Sequence, residues 1–204
     1  MKIAIASGKG GTGKTSVTAA LAAVWVAPVA AVDLDVEAPN LHLFLQPAIE
    51  GRAPAYLAVP EVDPGLCNHC RACAEICQFK AISVLGEVVL TFPEMCHGCG
   101  ACLAVCPTGA LSEGRRELGE VLWGRAGAVA YLAGRLRVGE AMSPPLMRCV
   151  KERFAAYSEE GRDLLIDAPP GVSCPAVNAV MDADAILLVT EPTPFGAFDL
   201  DLAR

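Results

Sequence analysis

The sequence is poor in aromatic residues, in histidine and in positive charge. Only 5% of its 204 residues are aromatic and three are histidine, whereas 53% are hydrophobic. Small and aliphatic side chains therefore supply the apolar content, which is typical of a parallel sheet covered by helices. Lys and Arg number 16 against 23 Asp and Glu, giving a net charge of −7. This acidic balance lacks the electrostatic footprint of a nucleic-acid-binding protein, so we expect no nucleic-acid partner.

Long uninterrupted apolar runs and an export leader are also lacking. Pro28 divides the most apolar stretch, residues 17–32, into halves that are better explained as a helix and a strand. Only five residues separate Lys2 from Gly8, too few for the apolar part of a signal peptide. We therefore expect a cytoplasmic protein without a membrane anchor. Its length suits one well-buried domain, or one domain with a small module.

Cysteine, in contrast, is abundant. The chain has ten cysteines, and eight of them lie in two groups. Disulfides are typical of exported proteins, so this grouping favours metal ligation. Of the other two, Cys149 is expected to be a small core residue, and Cys174 to be buried, with sensing or contact with a partner as its alternative role.

A glycine-rich stretch near the N-terminus carries a phosphate-binding pattern. GKGGTGKT, the phosphate loop (residues 8–15), fits G-x-x-x-x-G-K-[ST]. Glycines let backbone N–H groups converge on phosphate oxygens, Lys14 reaches the β- and γ-phosphates, and Thr15 offers its hydroxyl to Mg²⁺. The pattern therefore predicts a nucleotide site. Its predicted contacts are Gly8, Lys9, Gly10, Gly11, Thr12, Gly13, Lys14, Thr15 and Ser16.

Short apolar runs on both sides of the chain are typical of buried strands. They cover residues 3–7, 29–33, 163–171 and 183–192, and a helix is predicted at residues 14–26. Four strands interleaved with helical stretches indicate an α/β fold with a doubly wound, mostly parallel sheet. Weaker patterns predict paired strands within residues 114–138 and a helix at residues 144–160.

The eight grouped cysteines form two runs with C-x₂-C-x₂-C-x₃-C spacing, 29 residues apart. The first cysteine run is Cys67, Cys70, Cys73 and Cys77, and the second is Cys96, Cys99, Cys102 and Cys106. With this spacing, three thiolates hold one [4Fe-4S] cluster and the fourth ligates the other cluster. One cluster is thus predicted on Cys67, Cys70, Cys73 and Cys106, and another on Cys96, Cys99, Cys102 and Cys77. Zinc, which favours C-x₂-C pairs a dozen or more residues apart, is the weaker alternative.

The phosphate loop resembles that of a known family. KGGTGKT is similar to the deviant phosphate loop of the MinD/ParA/Mrp family of P-loop ATPases, which includes the nitrogenase iron protein. The resemblance implies that Lys9, the second lysine of the loop, reaches across a dimer to the partner's nucleotide. It also implies ATP as the ligand, Mg²⁺-dependent hydrolysis and a homodimer in the ATP state.

Two acidic segments extend the resemblance. DLDVEAPN, the acidic loop (residues 33–40), is similar to the family's loop after the second strand, which implies that Asp35 positions the attacking water and Asp33 lies near the metal. LLIDAPPG includes the switch loop (residues 167–171), which implies that Asp167 holds Mg²⁺ through water and that Gly171 responds to the γ-phosphate. A turn or a helix cap is the alternative role for Asp33 and Asp35. The implied catalytic residues are Lys9, Lys14 and Asp35.

The cysteine runs resemble a bacterial two-cluster ferredoxin. The chain as a whole is similar to MinD/Mrp-family ATPases that carry such a small α+β domain as an insertion. We therefore expect an ATPase core at residues 1–60 and 113–204, interrupted by a ferredoxin-like domain at residues 61–112. Members of the family continue for another strand and helix, so we expect the C-terminal part of the family fold to be missing from this chain.

A chain with both a predicted nucleotide site and two predicted iron–sulfur clusters allows three interpretations of its function. In the first, nucleotide-dependent dimerisation gates electron transfer from the two clusters to a protein redox partner. In the second, the protein is an ATP-dependent assembly or carrier factor that serves an apo-metalloprotein. In the third, it is a non-catalytic, nucleotide-switched binding protein. We favour the first, because the complete cysteine sets are typical of stable redox clusters.

Overall fold

The structure is a computed structural model that describes residues 1–159 and 161–204. The chain divides into two compact units, one of Met1–Ala55 with Gly119–Arg204 and one of Tyr56–Leu118. Residues 61–112, predicted as an inserted domain, lie within the second unit. In chain order the elements are β1 (Lys2–Ala6), α1 (Lys14–Val24), β2 (Val29–Asp33), α2 (Leu41–Leu45), β3 (Ala48–Val62), α3 (Ala72–Ile76), β4 (Ile82–Leu85), β5 (Val88–Thr91), a 3₁₀ turn (Pro93–Met95), α4 (Ala101–Ala104), β6 (Leu111–Ala126), β7 (Val129–Leu136), α5 (Ser143–Glu159), β8 (Asp163–Asp167), α6 (Cys174–Val180), β9 (Ala185–Leu188) and α7 (Pro194–Ala203).

The first unit is built on a sheet with strand order β3-β6-β7-β2-β8-β1-β9. β1 pairs in parallel with β8 and β9, and β2 pairs in parallel with β7 and β8. Within this sheet, the β6 and β7 pair is antiparallel, and the other pairings whose register is described are parallel. The predicted α/β fold with a mostly parallel sheet is confirmed.

Two apolar cores cover opposite faces of this sheet. Alternate residues of β1, β2 and β8 enter one core or the other, because successive side chains of a strand point to opposite faces. One core is formed by residues of these strands and of α5, and it includes Ala4, Val32, Ile166, Leu146 and Val150. The other core is formed by residues of the same strands and of α1, and it includes Ile5, Ala31, Leu165, Ala19 and Ala22. Burial of a large aliphatic side chain contributes about 1.5–3 kcal/mol to the free energy of folding, so these two layers hold the ends of the strands in place.

The predicted helices are present with shifted ends. α1 ends at Val24, two residues before the predicted limit. α5 begins at Ser143 and extends to Glu159, and the predicted last residue, Glu160, lies outside the described residues. No helix within the described residues has both the length and the apolar character that crossing a membrane requires.

The paired strands predicted within residues 114–138 are confirmed as β6 and β7. Their antiparallel register places Gly119 opposite Leu136 and Ala126 opposite Val129. In contrast, the sequence did not predict β3, which contains Pro54 and Pro60. A strand tolerates proline at the edge of a sheet, because an N–H that faces solvent makes no hydrogen bond to a neighbouring strand. β3 is such an edge strand.

The second unit repeats its backbone conformation every 29 residues. α3 and α4 begin 29 residues apart, and each follows a residue in the left-handed region, Arg71 or Gly100. The positive φ angles form three such pairs: His69 with Gly98, Arg71 with Gly100, and Lys80 with Gly109. β4 and β5 form an antiparallel hairpin between the two halves. The repeat in the sequence is therefore also a repeat in the fold.

Candidate functional site

The phosphate loop lies at the carboxyl edge of the parallel strands. It connects β1 to α1, and β2 and β8 end at Asp33 and Asp167. Since β8 pairs in parallel with both β1 and β2, all three strand ends reach the same edge. The acidic loop and the switch loop therefore start beside the phosphate loop, as ligand-binding loops do in open α/β sheets.

Two glycines give the phosphate loop its path. Gly11 and Gly13 have φ of +81° and +92°, in the left-handed region, where an L side chain is strained. Gly13 is the N-cap of α1, so the free N–H groups of the first helical turn face the loop. A loop of this kind at a helix N-terminus is suited to bind an anion.

Gly8 is required for a different reason. A Cβ placed there would lie 2.1 Å from the backbone oxygen of Asp199 in α7. At Gly10, by comparison, the nearest atom would be Pro170 Cβ at 4.0 Å. The start of the phosphate loop is thus closely packed against α7, whereas its middle is open.

Lys14, Thr15 and Asp167 form the centre of the site. Lys14 and Asp167 are both buried. Burial raises the pKa of Asp167 to about 6, while hydrogen bonding from Thr15 and the charge of Lys14 act in the opposite direction. Thr18, one turn into α1, donates to the Lys14 carbonyl at 3.0 Å and to Asp167 Oδ1 at 3.5 Å. Sequence reasoning missed Thr18, because no local motif includes it.

Two buried oxygen atoms at this centre have no hydrogen-bond partner among the described residues. They are Thr12 Oγ1 and Asp167 Oδ2. A buried polar atom without a partner costs about 1–3 kcal/mol, so such atoms mark places where a ligand is expected. A carboxylate oxygen and a threonine hydroxyl beside a buried lysine suit a metal-bound phosphate.

Asp33 holds the acidic loop through its carboxylate. Oδ1 accepts from the backbone N–H of Asp35 at 3.1 Å, and Oδ2 accepts from those of Asn40 and Leu41 at 3.0 Å each. The side chain is fully buried. Burial, and then the charge of Asp167, raise the pKa of Asp33 to about 8. These contacts are those of a turn and a helix start, and the metal role of Asp33 stays a prediction.

Asp35 is partly exposed on the acidic loop. Burial raises its pKa, and the charge of Lys14 acts in the opposite direction. Asp35 also adds to the negative field that raises the pKa of Asp167. The structure therefore brings together Lys14, Asp35 and Asp167, although Asp35 and Asp167 are 132 positions apart in the sequence.

The switch loop contacts the phosphate loop through the backbone. Gly171 N donates to the Ser7 carbonyl at 3.0 Å, and Gly171 has φ of +92°. Ser7 Oγ in turn donates to the Lys9 carbonyl at 2.5 Å. A change in the position of the phosphate loop would reach the switch loop through this chain of bonds.

Lys9 forms an ion pair within the chain. Its Nζ contacts Glu191 Oε1, and both side chains are about one-third exposed. Glu191 also accepts from the Thr193 hydroxyl at 2.9 Å. Lys9, followed by Thr193, lowers the pKa of Glu191. Sequence reasoning missed Glu191, although it follows β9, the parallel neighbour of β1 on the side away from β8.

The grouped cysteines surround two cavities in the second unit. The first cavity is lined by Cys67, Cys70, Cys73 and Cys106. The second cavity is lined by Cys77, Cys96, Cys99 and Cys102. Each cavity therefore takes three cysteines from one run and the fourth from the other.

Backbone N–H groups donate hydrogen bonds to two sulfur atoms of the second cavity. The backbone N–H of Ala81 donates to Cys77 Sγ at 3.3 Å, and that of Gly98 donates to Cys96 Sγ at 3.4 Å. Burial raises the pKa of Cys73 and of Cys102, which occupy equivalent positions in the two runs. N–H donors of this kind favour the thiolate form and tune the potential of an iron–sulfur cluster.

No group of three or more His, Cys, Asp or Glu side chains in the described part of the chain is placed to hold a metal ion. A single ion requires its ligands to converge on one point, about 2.3 Å from each sulfur for zinc. A cubane instead distributes its ligands around a cavity, one thiolate to each iron. The two quartets line separate cavities.

The two cysteines outside the runs differ from each other. Cys149 is partly buried and packs against the first core, close to the prediction. Cys174 is exposed, so the prediction of burial is wrong. It is the first residue of α6, where a side chain has no preceding helical turn to cover it.

A glycine-rich loop between a parallel strand and a helix, with a buried lysine and strand-end carboxylates beside it, defines a P-loop nucleotide-binding protein. Residues 3–191 match the family described as the CobQ/CobB/MinD/ParA nucleotide binding domain. The chain belongs to this family.

Two uncharacterized proteins of Methanocaldococcus jannaschii are similar over nearly the whole chain. MJ0578 is 37% identical over 196 residues, which cover 95% of this chain and 68% of the relative. MJ0579 is 28% identical over 207 residues, which cover 98% of this chain and 72% of the relative. The structure of the septum site-determining protein MinD from Pyrococcus horikoshii, complexed with Mg-ADP, is 22% identical with a TM-score of 0.47 and covers 98% of this chain. The chain spans 61% of the length of that structure.

Proposed function

We propose that this protein is a Mg²⁺-dependent ATPase in which nucleotide-dependent dimerisation gates electron transfer from two [4Fe-4S] clusters to a protein redox partner. The observation that carries the proposal is the division of the eight grouped cysteines into two cavities, each with a complete quartet, in a chain of a nucleotide-binding family. Two complete thiolate quartets of this spacing are typical of proteins that hold two [4Fe-4S] clusters.

The nucleotide part of the proposal is supported by the family and by the phosphate loop. Lys14 is buried beside Asp35 and Asp167, and the left-handed backbone at Gly11 and Gly13 opens the loop toward a phosphate. Lys14 would neutralise charge on the β- and γ-phosphates, and Asp35 would orient the attacking water. Since positioning and charge neutralisation supply most of phosphoryl-transfer catalysis, this set of residues supports the proposal of hydrolysis.

The residues present fit Mg²⁺. Asp167 Oδ2 has no partner within the described residues, and Thr15 hydrogen-bonds to the same carboxylate. Thr15 and Asp167 would hold the ion, with Asp33 behind them as the support of the acidic loop. Bound there, Mg²⁺ would offset the negative charge of the phosphates.

The residues present also fit two [4Fe-4S] clusters. Four cysteines line each cavity, and in the second cavity backbone N–H groups donate to Cys77 and Cys96. Clusters with this ligation supply one-electron transfer at a potential set by hydrogen bonds and exposure. Phe79 and His97, with ring centroids 3.5 Å apart, are stacked and line the second cavity.

Coupling between nucleotide and clusters follows from the order of the chain. The cysteine runs lie between the acidic loop and the switch loop, the two segments expected to respond to the γ-phosphate. A nucleotide that changes these loops would change the affinity of the protein for its redox partner or its own second copy. By linkage, the partner would change nucleotide affinity by the same factor.

Two variants test the proposal. Anaerobically purified protein is expected to contain about eight irons per chain and to hydrolyse ATP. Lys14→Ala should lower the hydrolysis rate by roughly a hundredfold or more and leave the iron content unchanged. Cys174→Ala, an exposed cysteine outside both cavities, is the matched control and should change neither quantity. The proposal is contradicted if the wild-type protein contains no iron. It is also contradicted if Lys14→Ala hydrolyses ATP as fast as the wild type.

A second function is favoured by the exposure of two ligands. Cys70 and Cys99, the middle cysteines of each triplet, are both exposed. Exposed ligands allow an acceptor thiolate to attack the cluster, as an assembly or carrier factor for an apo-metalloprotein requires. Incubation of the loaded protein with an apo-ferredoxin distinguishes the two functions. Loss of iron to the acceptor supports the carrier, whereas reduction of an acceptor with iron retained supports electron transfer.

A further inference from the structure

A cavity of about 440 Å³, the lateral cavity, opens on the first unit next to the end of the acidic loop. Side chains of α2 and its flanking residues, of β3, of β6 and of β7 line it: Pro39, His42, Gln46, Pro47, Ile49, Arg52, Leu122, Tyr131, Ala133 and Arg135. Its volume is in the range of small-molecule sites, which are mostly apolar with a few convergent polar groups.

The floor of the lateral cavity is rigid and apolar. Tyr131 and Ala133 of β7 are buried and belong to the second core. Leu122 of β6 stands opposite Ala133 in the antiparallel register. Burial, and then the charge of Asp33, raise the pKa of Tyr131, so its hydroxyl stays protonated as a hydrogen-bond donor. The apolar part of a bound ligand would displace water from this floor.

The rim of the lateral cavity carries two arginines. Arg135 Nε donates to Glu120 Oε1 at 3.0 Å, and Arg52 Nη1 lies 3.7 Å from Glu120 Oε2. One carboxylate therefore sits between two guanidinium groups and orients both. Each guanidinium has five N–H donors, so most donors of the pair are left for another acceptor. The local charge is positive in a chain whose net charge is −7.

We propose that the lateral cavity is a binding site for a small anionic molecule with an apolar body, whose carboxylate or phosphate is held by Arg52 and Arg135. Planar guanidinium groups bind both anions in pairs of hydrogen bonds. The apolar body would lie over Leu122, Tyr131 and Ala133. The proposal does not depend on the ATPase or cluster proposals.

Binding of 2-naphthoate, measured by isothermal titration calorimetry at low salt, tests the site. We expect one molecule per chain on wild-type protein. The double variant Arg52→Gln/Arg135→Gln should weaken binding at least tenfold, or about 1.4 kcal/mol. Arg148→Gln, the same change at an exposed arginine of α5, is the control and should alter the Kd less than twofold. 2-Naphthalenemethanol, which has the ring without the charge, should bind at least tenfold more weakly than 2-naphthoate.

A second variant and a second anion complete the test. Ala133→Leu extends the floor into the cavity without changing charge and should also weaken binding tenfold; if it does not fold, the arginine pair still decides. 2-Naphthyl phosphate, measured in the Lys14→Ala background to remove binding at the phosphate loop, shows whether phosphate or carboxylate is preferred. The proposal is overturned if neither anion binds at millimolar concentration, if the alcohol binds as well as the acid, or if Arg148→Gln weakens binding as much as the arginine pair.

Discussion

The proposed cross-ligation of two [4Fe-4S] clusters can be tested by removing one cysteine. Cys77 belongs to the first run in sequence but lines the second cavity, with Cys96, Cys99 and Cys102. Cys77→Ala should therefore remove the cluster of the second run and leave that of the first. Iron should fall from about eight to about four per chain, because each [4Fe-4S] cluster needs its four thiolates.

Pairs of substitutions identify which cluster is lost. Cys77→Ala with Cys96→Ala removes two ligands of one cavity, so about four irons should remain. Cys77→Ala with Cys67→Ala removes one ligand from each cavity, so iron should fall toward zero. The assay is iron and acid-labile sulfide per chain after anaerobic purification, with Cys174→Ala as the control. The reasoning is refuted if the second pair retains about four irons while the first retains none, since each run would then hold its own cluster.

Two further predictions concern the phosphate loop. Gly8→Ala places a Cβ 2.1 Å from the Asp199 backbone oxygen, so we expect a loss of about 1–3 kcal/mol in the free energy of unfolding. Gly10→Ala has no atom closer than 4.0 Å and should stay within about 0.5 kcal/mol of wild type in the same urea titration; equal losses would contradict the close packing of α7. Glu191→Gln removes the partner of Lys9 and should favour the ATP-dependent dimer in sedimentation velocity, because Lys9 is released. An unchanged dimer affinity would mean that Lys9 does not take part in dimerisation.

The sequence predicted the centre of the sheet well, because its strands are buried on both faces. Residues 29–33 were predicted as a strand, and β2 is Val29–Asp33 with every residue buried. A continuous apolar run of this kind has no other stable place than the middle of a parallel sheet. The edge strand β3 escaped prediction because half of its residues are exposed and two are prolines.

The local parts of the candidate site could also be predicted. A glycine-rich loop, a lysine and the C-x₂-C-x₂-C-x₃-C runs are patterns of adjacent residues, and their spacing alone indicates their chemistry. Glu191 and Thr18 could not be predicted in the same way. Glu191 reaches Lys9 across 182 residues, and Thr18 reaches Asp167 across 149. Contacts of that separation depend on the order of strands in the sheet, which the sequence does not state.

The central claim is that nucleotide turnover and the clusters are coupled. The most direct test is the ATPase rate of the same anaerobic preparation with its clusters first oxidised and then reduced by dithionite. We predict that the two rates differ at saturating ATP, and that the difference disappears in the variant Cys67→Ala/Cys77→Ala, which lacks a ligand in each cavity. Equal rates in the oxidised and reduced wild-type protein would contradict the claim.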